Sequence, residues 1–159
     1  MPDIPSVRER VLQGWASHIA SELSTAIERN RRSPVSLEPN EQKLVFVDGD
    51  EESFEEGDAL NIVSRVIRWT VEIYLRADLA SIGPRLNDLA AQVEQIVYLN
   101  RGLSIALGEP ELCSPSNTIL LGLEFDPWRQ PSTEPGGSIA LTFQCVYSHP
   151  WDNPYESAN

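Results

Sequence analysis

The sequence is poor in the side chains that most often carry metal or redox chemistry: its 159 residues include two cysteines, two histidines and one methionine. Cys113 and Cys145 are too few for a disulfide framework and too far apart for a CxxC metal knuckle, so they read as free, mostly buried thiols. His18 and His149 each stand alone. No HExxH pair, GxSxG elbow or Gly-rich phosphate loop accompanies them, so no catalytic, cofactor or metal site is expected and the chain does not read as an enzyme. No uninterrupted apolar run approaches the roughly 20 residues that span a bilayer. The opening MPDIPSVRER has no basic segment followed by an apolar one, which points away from secretion and toward synthesis in the cytosol. Cations are also scarce, with 12 Lys and Arg against 24 Asp and Glu and a net charge of -12. Affinity for phosphates rests on Lys and Arg clusters that are missing here. An acidic wall repels a passing duplex, which suits a conduit better than a binder.

What is present centres on the longest strand-like run, VSRVIRWTVEIYLRAD from Val63 to Asp78. Ile67, Trp69, Val71, Ile73 and Leu75 fall on one face and Arg68, Thr70, Glu72, Tyr74 and Arg76 on the other, the period of a strand with one buried side. Such a strand needs a roof. Ser6 opens the capping-box pattern SVRE, and Val11, Leu12, Trp15, Ala16, Ile19, Ala20, Leu23, Ala26 and Ile27 follow at helical spacing until Asn30 to Pro34 close the run. A second helix begins near Pro84, carries Leu86, Leu89, Ala90, Val93, Ile96 and Val97 on one stripe, and stops before Gly102.

Val35 to Leu37 and Lys43 to Val47 read as two short strands around a Pro-Asn turn. Further on, Ile119, Leu121, Leu123 and Phe125 alternate, as do Ile139, Leu141, Phe143, Cys145 and Tyr147, and these two runs pair as a hairpin. The sum is one α+β domain over residues 1–148: a mostly antiparallel sheet with two amphipathic helices packed on one face, a long acidic loop, and an extended C-terminal tail over 149–159.

The acidic loop is Asp48 to Asp58, where Asp48, Asp50, Glu51, Glu52, Glu55, Glu56 and Asp58 place seven carboxylates in eleven residues. Self-repulsion is expected to keep it extended and mobile. Its glycines fall at the wrong positions for a calcium loop. Two sets of residues remain as candidates for contact with partners. Arg68, Glu72, Tyr74 and Arg76 form the outer face of the long strand, a composition shared by solvated faces and by polar protein interfaces. Trp151 and Tyr155 lie in a proline-rich tail without periodicity, either docked on a neighbouring surface or loosely held.

The opening SVRERVLQGWASHIASEL helix, the RVIRWTVEIYLRA strand, the RLNDLAAQVEQIV helix and the final SIALTFQCVYSHP strand together resemble the tail terminator proteins of tailed phages, also called tail completion or minor tail protein U-like proteins. The resemblance spans nearly the whole chain, leaving GEPELCSPSN and the stretch to Ser138 outside its pattern. It implies a virion protein of the tail or neck, made in the host cytoplasm, which forms a homo-hexameric ring on the last ring of the tail tube. The ring stops tube polymerisation and meets the head-tail connector or stopper protein on its other side. DNA passes through the lumen without specific binding, and neither a membrane nor a cofactor takes part. On that reading Arg68, Glu72, Tyr74, Arg76, Trp151 and Tyr155 belong to subunit or partner interfaces, and the acidic loop faces the lumen or the tube. Two other roles fit the same sequence: another neck component, head-closure or adaptor, and a small ligand-binding or enzymatic α+β domain.

Overall fold

Alternation along one strand decides which side of the sheet is dry. The computed structural model describes residues 4–55, 61–104, 111–128, 135–150 and 152–158. In chain order it contains α1 (Val7–Leu23), β1 (Ile27–Arg29), β2 (Gln42–Glu55), β3 (Ile62–Arg76), α2 (Leu79–Leu99), a 3-10 turn at Pro115–Asn117, β4 (Ile119–Trp128) and β5 (Gly136–Pro150). The strands form one sheet in the order β1-β2-β3-β5-β4. Only β1 and β2 are parallel; every other pair is antiparallel. The fold is therefore the expected α+β arrangement, with both helices on one face.

The β3 alternation is realised as read: Ile67, Trp69, Val71, Ile73 and Leu75 are fully buried. Each is worth about 1.5–3 kcal/mol of transfer free energy. In register beside them lie Leu44 and Phe46 of β2 and Ile139, Leu141, Phe143 and Cys145 of β5. Val11, Leu12, Trp15 and Ile19 of α1 and Leu86, Val93 and Val97 of α2 close the core from above. Its centre is aromatic. Trp69 stacks on Phe143 of β5 at 4.6 Å between ring centroids, on Phe46 of β2 at 5.3 Å and on Trp15 of α1 at 5.2 Å.

Ser6 caps α1 as read, accepting from the Glu9 amide at 3.2 Å, while the Glu9 carboxylate accepts from Arg29. The helix ends at Leu23, earlier than its apolar stripe suggests, because Ser24 turns left-handed (φ 51°) and its amide closes on Ala20 and Ser21. Ile27 is then a strand residue beside Leu44. Either conformation turns Ile27 toward the same core, so helical spacing alone could not separate them. Val35 to Leu37 is not a strand. It belongs to an irregular stretch crossing the outer face, held by Arg76 donating to the Leu37 carbonyl at 2.9 Å and Lys43 to that of Ser36 at 2.8 Å. Asp78 caps α2 by accepting from the Ser81 amide at 3.0 Å, so this helix starts before Pro84 and contains it.

The largest correction concerns the acidic stretch: residues 48–55 are the second half of β2, paired with β3 up to Glu55↔Val63. A bulge at Gly49 and Asp50 interrupts the ladder. A Cβ on Gly49 would lie 2.4 Å from the Arg68 carbonyl oxygen, so glycine is required where the two backbones approach. Residues 56–60 lie outside the described residues. The hairpin of β4 and β5 is present, and β5 runs to Pro150. Beyond it the tail folds back on α1, where the Pro154 carbonyl accepts from the Val7 amide at 2.9 Å.

Trp69→Ala is expected to cost about 3–5 kcal/mol in denaturant unfolding, because it empties the middle of the stack. Trp69→Phe should cost clearly less. It keeps a ring there and removes a buried indole N–H that has no hydrogen-bond partner among the described residues.

Candidate functional site

Strand alternation sends the acidic residues of β2 to different sides. Asp48 and Glu51 sit opposite Trp69 and Ile67, on the helix-covered face. Glu51 accepts from Arg8 Nε of α1 at 2.9 Å, Arg65 Nη1 of β3 at 2.7 Å and the Tyr147 hydroxyl of β5 at 3.1 Å. Arg65 also donates its Nε to His149 Nε2 at 3.0 Å, while His149 Nδ1 lies 2.7 Å from the Pro150 carbonyl. Both contacts are satisfied when the imidazole is neutral with its proton on Nδ1. Burial, reinforced by the charge of Glu51 and its hydrogen bond, raises the Tyr147 phenol well above its ordinary range, so it stays a donor. A cavity of about 160 Å³ borders the network. Its polar groups are committed to one another across α1, β2, β3 and β5, which makes it a four-element clamp.

Asp48 belongs to a second cluster. Arg29 of β1 grips it through Nε at 2.9 Å and Nη2 at 2.8 Å, and also donates to both carboxylate oxygens of Glu9 on α1. The hydrogen bond from Arg29 holds the Glu9 carboxyl below its ordinary range. Burial pushes the Asp48 carboxyl up, but hydrogen bonds from Arg29 and Asn30 and the Arg29 charge outweigh it and the net displacement is downward. Asp50 and Glu52 remain exposed, with Arg68 Nη1 at 2.8 and 3.7 Å. The side chain of Glu55, and Glu56 and Asp58 entirely, lie outside the described residues.

The expected contact residues do not converge. Arg68, Glu72, Tyr74 and Arg76 share the outer face of β3, where Arg68 serves Asp50 and Arg76 anchors the crossing stretch. The Tyr74 hydroxyl donates to Glu72 at 2.7 Å, and burial together with that carboxylate pushes its pKa up to about 12. Tyr155 is on the tail against α1, 55% exposed, its carbonyl accepting from Arg10 at 2.6 Å. Trp151 lies outside the described residues.

The strand that the residue pattern gave one apolar face is open to solvent. Ile119, Leu121, Leu123 and Phe125 of β4 are 38–49% exposed. They also do not share one face. A bulge between Leu120 and Gly122 shifts the register, so Leu123 and Phe125 lie opposite Leu141 and Ile139 on the helix side, while Ile119 lies opposite Gln144 on the outer side. Leu141 and Ile139 are fully buried beneath the helices, so the roof ends at β5. The alternation itself was the available signal, but it marks an apolar strand without saying whether anything covers it.

A groove of about 430 Å³ runs along α1 between Pro5 and Ser21 and reaches Asn100 and Leu103. Of its titratable residues Glu9 is held by Arg29 and Arg10 by the Tyr155 carbonyl, which leaves His18. Among the described residues no group of three His, Cys, Asp or Glu could hold a metal ion. Cys113 and Cys145 are free and buried, and burial, then the hydrogen bond with Cys145, raises the Cys113 thiol. Comparison with models of known protein families finds no match, and comparison with curated proteins finds none either.

Because Glu9 and Asp48 are held below their ordinary values, their stabilisation is complete above the carboxylate range and is lost as pH falls through the lowered folded values. The denaturant midpoint should therefore drop between roughly pH 5 and 3, and Arg29→Met should lower stability at pH 7 while flattening that acid dependence. Glu51→Gln, which strands Arg8 and Arg65, is expected to cost about 1–3 kcal/mol, and Tyr147→Phe about 1 kcal/mol, both read from urea unfolding at pH 7.

Proposed function

We propose that this chain is a structural ring subunit of a phage tail, acting as the terminator that ends the tail tube and joins it to the head connector. One observation carries the reading beyond the resemblance: β4 leaves four large apolar side chains exposed along a free sheet edge. Large apolar side chains left uncovered along an edge strand mark an interaction site, and Leu123 and Phe125 lie together on the helix side. A ring of this kind works through contacts with copies of itself and with its neighbours, so the role requires no reacting group. The net charge of -12 suits a passage that DNA slides through without binding.

The test is the length of tail tubes polymerised in vitro with increasing amounts of the purified chain. Tubes should shorten and carry one added ring at an end in negative-stain images. Unchanged lengths with bare ends would sink the terminator role, and a ring that binds capsid-side connector but ignores tubes would reassign the chain to another neck position. The groove beside α1 favours a second reading, a small-molecule binder. A chain that stays monomeric and gains thermal stability from a fragment mixture would support that one instead.

A further inference from the structure

The sheet ends in two unlike edges. On one side is β4, and on the other is β1, which covers only Leu44 to Phe46 of β2. Following the pairings across the sheet, β1 and β2 run one way, β3 the other, β5 with β2, and β4 against β5. Hence β4 is antiparallel to β1. A second copy placed in the same orientation, its β1 beside β4 of the first, would continue the sheet with an antiparallel joint. We infer that copies of this chain join head to tail in this way, the apolar segment Leu123 to Asp126 of β4 in one copy seated beside β1 and the Arg31–Arg32 turn of the next. The inference rests on the ring reading and names the two surfaces that would build the ring.

Three observations favour this joint. Leu123 and Phe125 are uncovered on the helix side because the roof stops at β5, and the β1 edge offers on that same side Ile27, packed against the core that α1 closes. The charges are complementary. Glu124 and Asp126 lie opposite Ala140 and Ser138 on the outer side, exposed and without a described partner. Arg31 is held by Glu28, whose pairing with Val45 puts it on the outer side, and the adjoining Arg32 is exposed with no partner among the described residues. In a chain of net charge -12 this basic turn beside β1 is the site that an acidic edge would seek.

The alternatives are disfavoured by the same residues. A two-fold β4-to-β4 contact would set Glu124 and Asp126 against their own copies, like charges facing across strands. Sliding β4 past β1 toward the open edge of β2 would bring it to Asp48, Asp50 and Glu52. A bulge between Leu120 and Gly122 interrupts the first part of β4, and an uninterrupted register runs from Gly122 onward, which is where the joint is placed. A joint between unlike surfaces is heterologous, and repeated copies close into a ring when the rotation permits.

Sedimentation velocity of the full-length chain and two double variants tests this. Leu123→Glu with Phe125→Glu spoils one edge, and Arg31→Glu with Arg32→Glu spoils the other. Thermal melts serve as the folding control: Leu123, Phe125 and Arg32 are exposed, whereas Arg31 also holds Glu28 and the Ser33 and Pro34 carbonyls, so Arg32→Glu alone repeats the test if the double variant melts early. The unmodified chain should form closed oligomers, and each variant alone should associate at least tenfold more weakly. Mixed together, the two variants retain one intact pair of edges and should give heterodimers and nothing larger. If the arginine variant dimerises as well as the unmodified chain, the contact is two-fold and the inference is overturned. If both variants still form the oligomer, the ring reading survives and these edges are wrong. If the unmodified chain stays monomeric at every concentration and on tail tubes, both readings fall.

Discussion

Stacking around Trp69 is the constraint on which the remaining geometry depends. Its indole takes Phe46 and Phe143 from the strands on either side and Trp15 from the helix above, so four elements far apart in sequence are locked to one point. Large rings in close offset contact bury more area per residue than any aliphatic alternative and fix orientation as well as distance. With Trp15 pinned there, the first turns of α1 lie over the second half of β2. Arg8 and Glu9 are thereby brought to the inward-facing carboxylates of that strand.

The placement accounts for a strand that its own composition argues against. A run of carboxylates repels itself, but the penalty falls steeply when each is paired with a cation in a partly dehydrated setting. Here Arg29 bridges Asp48 to Glu9, and Arg8 and Arg65 converge on Glu51. Part of the small complement of arginines is thus used inside the fold, which leaves an acidic exterior. The few surface cations that remain, such as Arg32, stand out against it.

Two helices cannot roof five strands. They cover β3, β5 and the inner face of β1 and β2, and leave β4 with apolar side chains in water. A solitary chain gains nothing from such an edge and risks indiscriminate aggregation. The bulge and the carboxylates of β4 restrict what can pair there, which is how an edge is made selective without being closed. In the proposed ring, neighbouring copies would complete the burial that the two helices do not.

Local patterns determined a good deal. The two faces of β3, the capping box at Ser6, the stripes of both helices and the pairing of the last two strands were all legible, because each depends on spacing within one segment. The end of α1 was not, since Ile27 reaches the same core from a helix or from a strand. Nor was the strand through Asp48 to Glu55, whose stability comes from arginines up to 43 residues away, as with Arg8 and Glu51. Of the candidate contact residues, the sequence placed Arg68, Glu72, Tyr74 and Arg76 on one face, as alternation requires. It could not show that Arg76 is bound to the Leu37 carbonyl, or that an inserted residue at Leu121 changes the side on which its neighbours lie. The sequence by itself determined which segments are amphipathic and how much acid the chain carries. Only the tertiary structure decided which carboxylates are neutralised and which apolar strand is left bare, because pairing and coverage depend on what lies across space, and spacing along a chain does not record it.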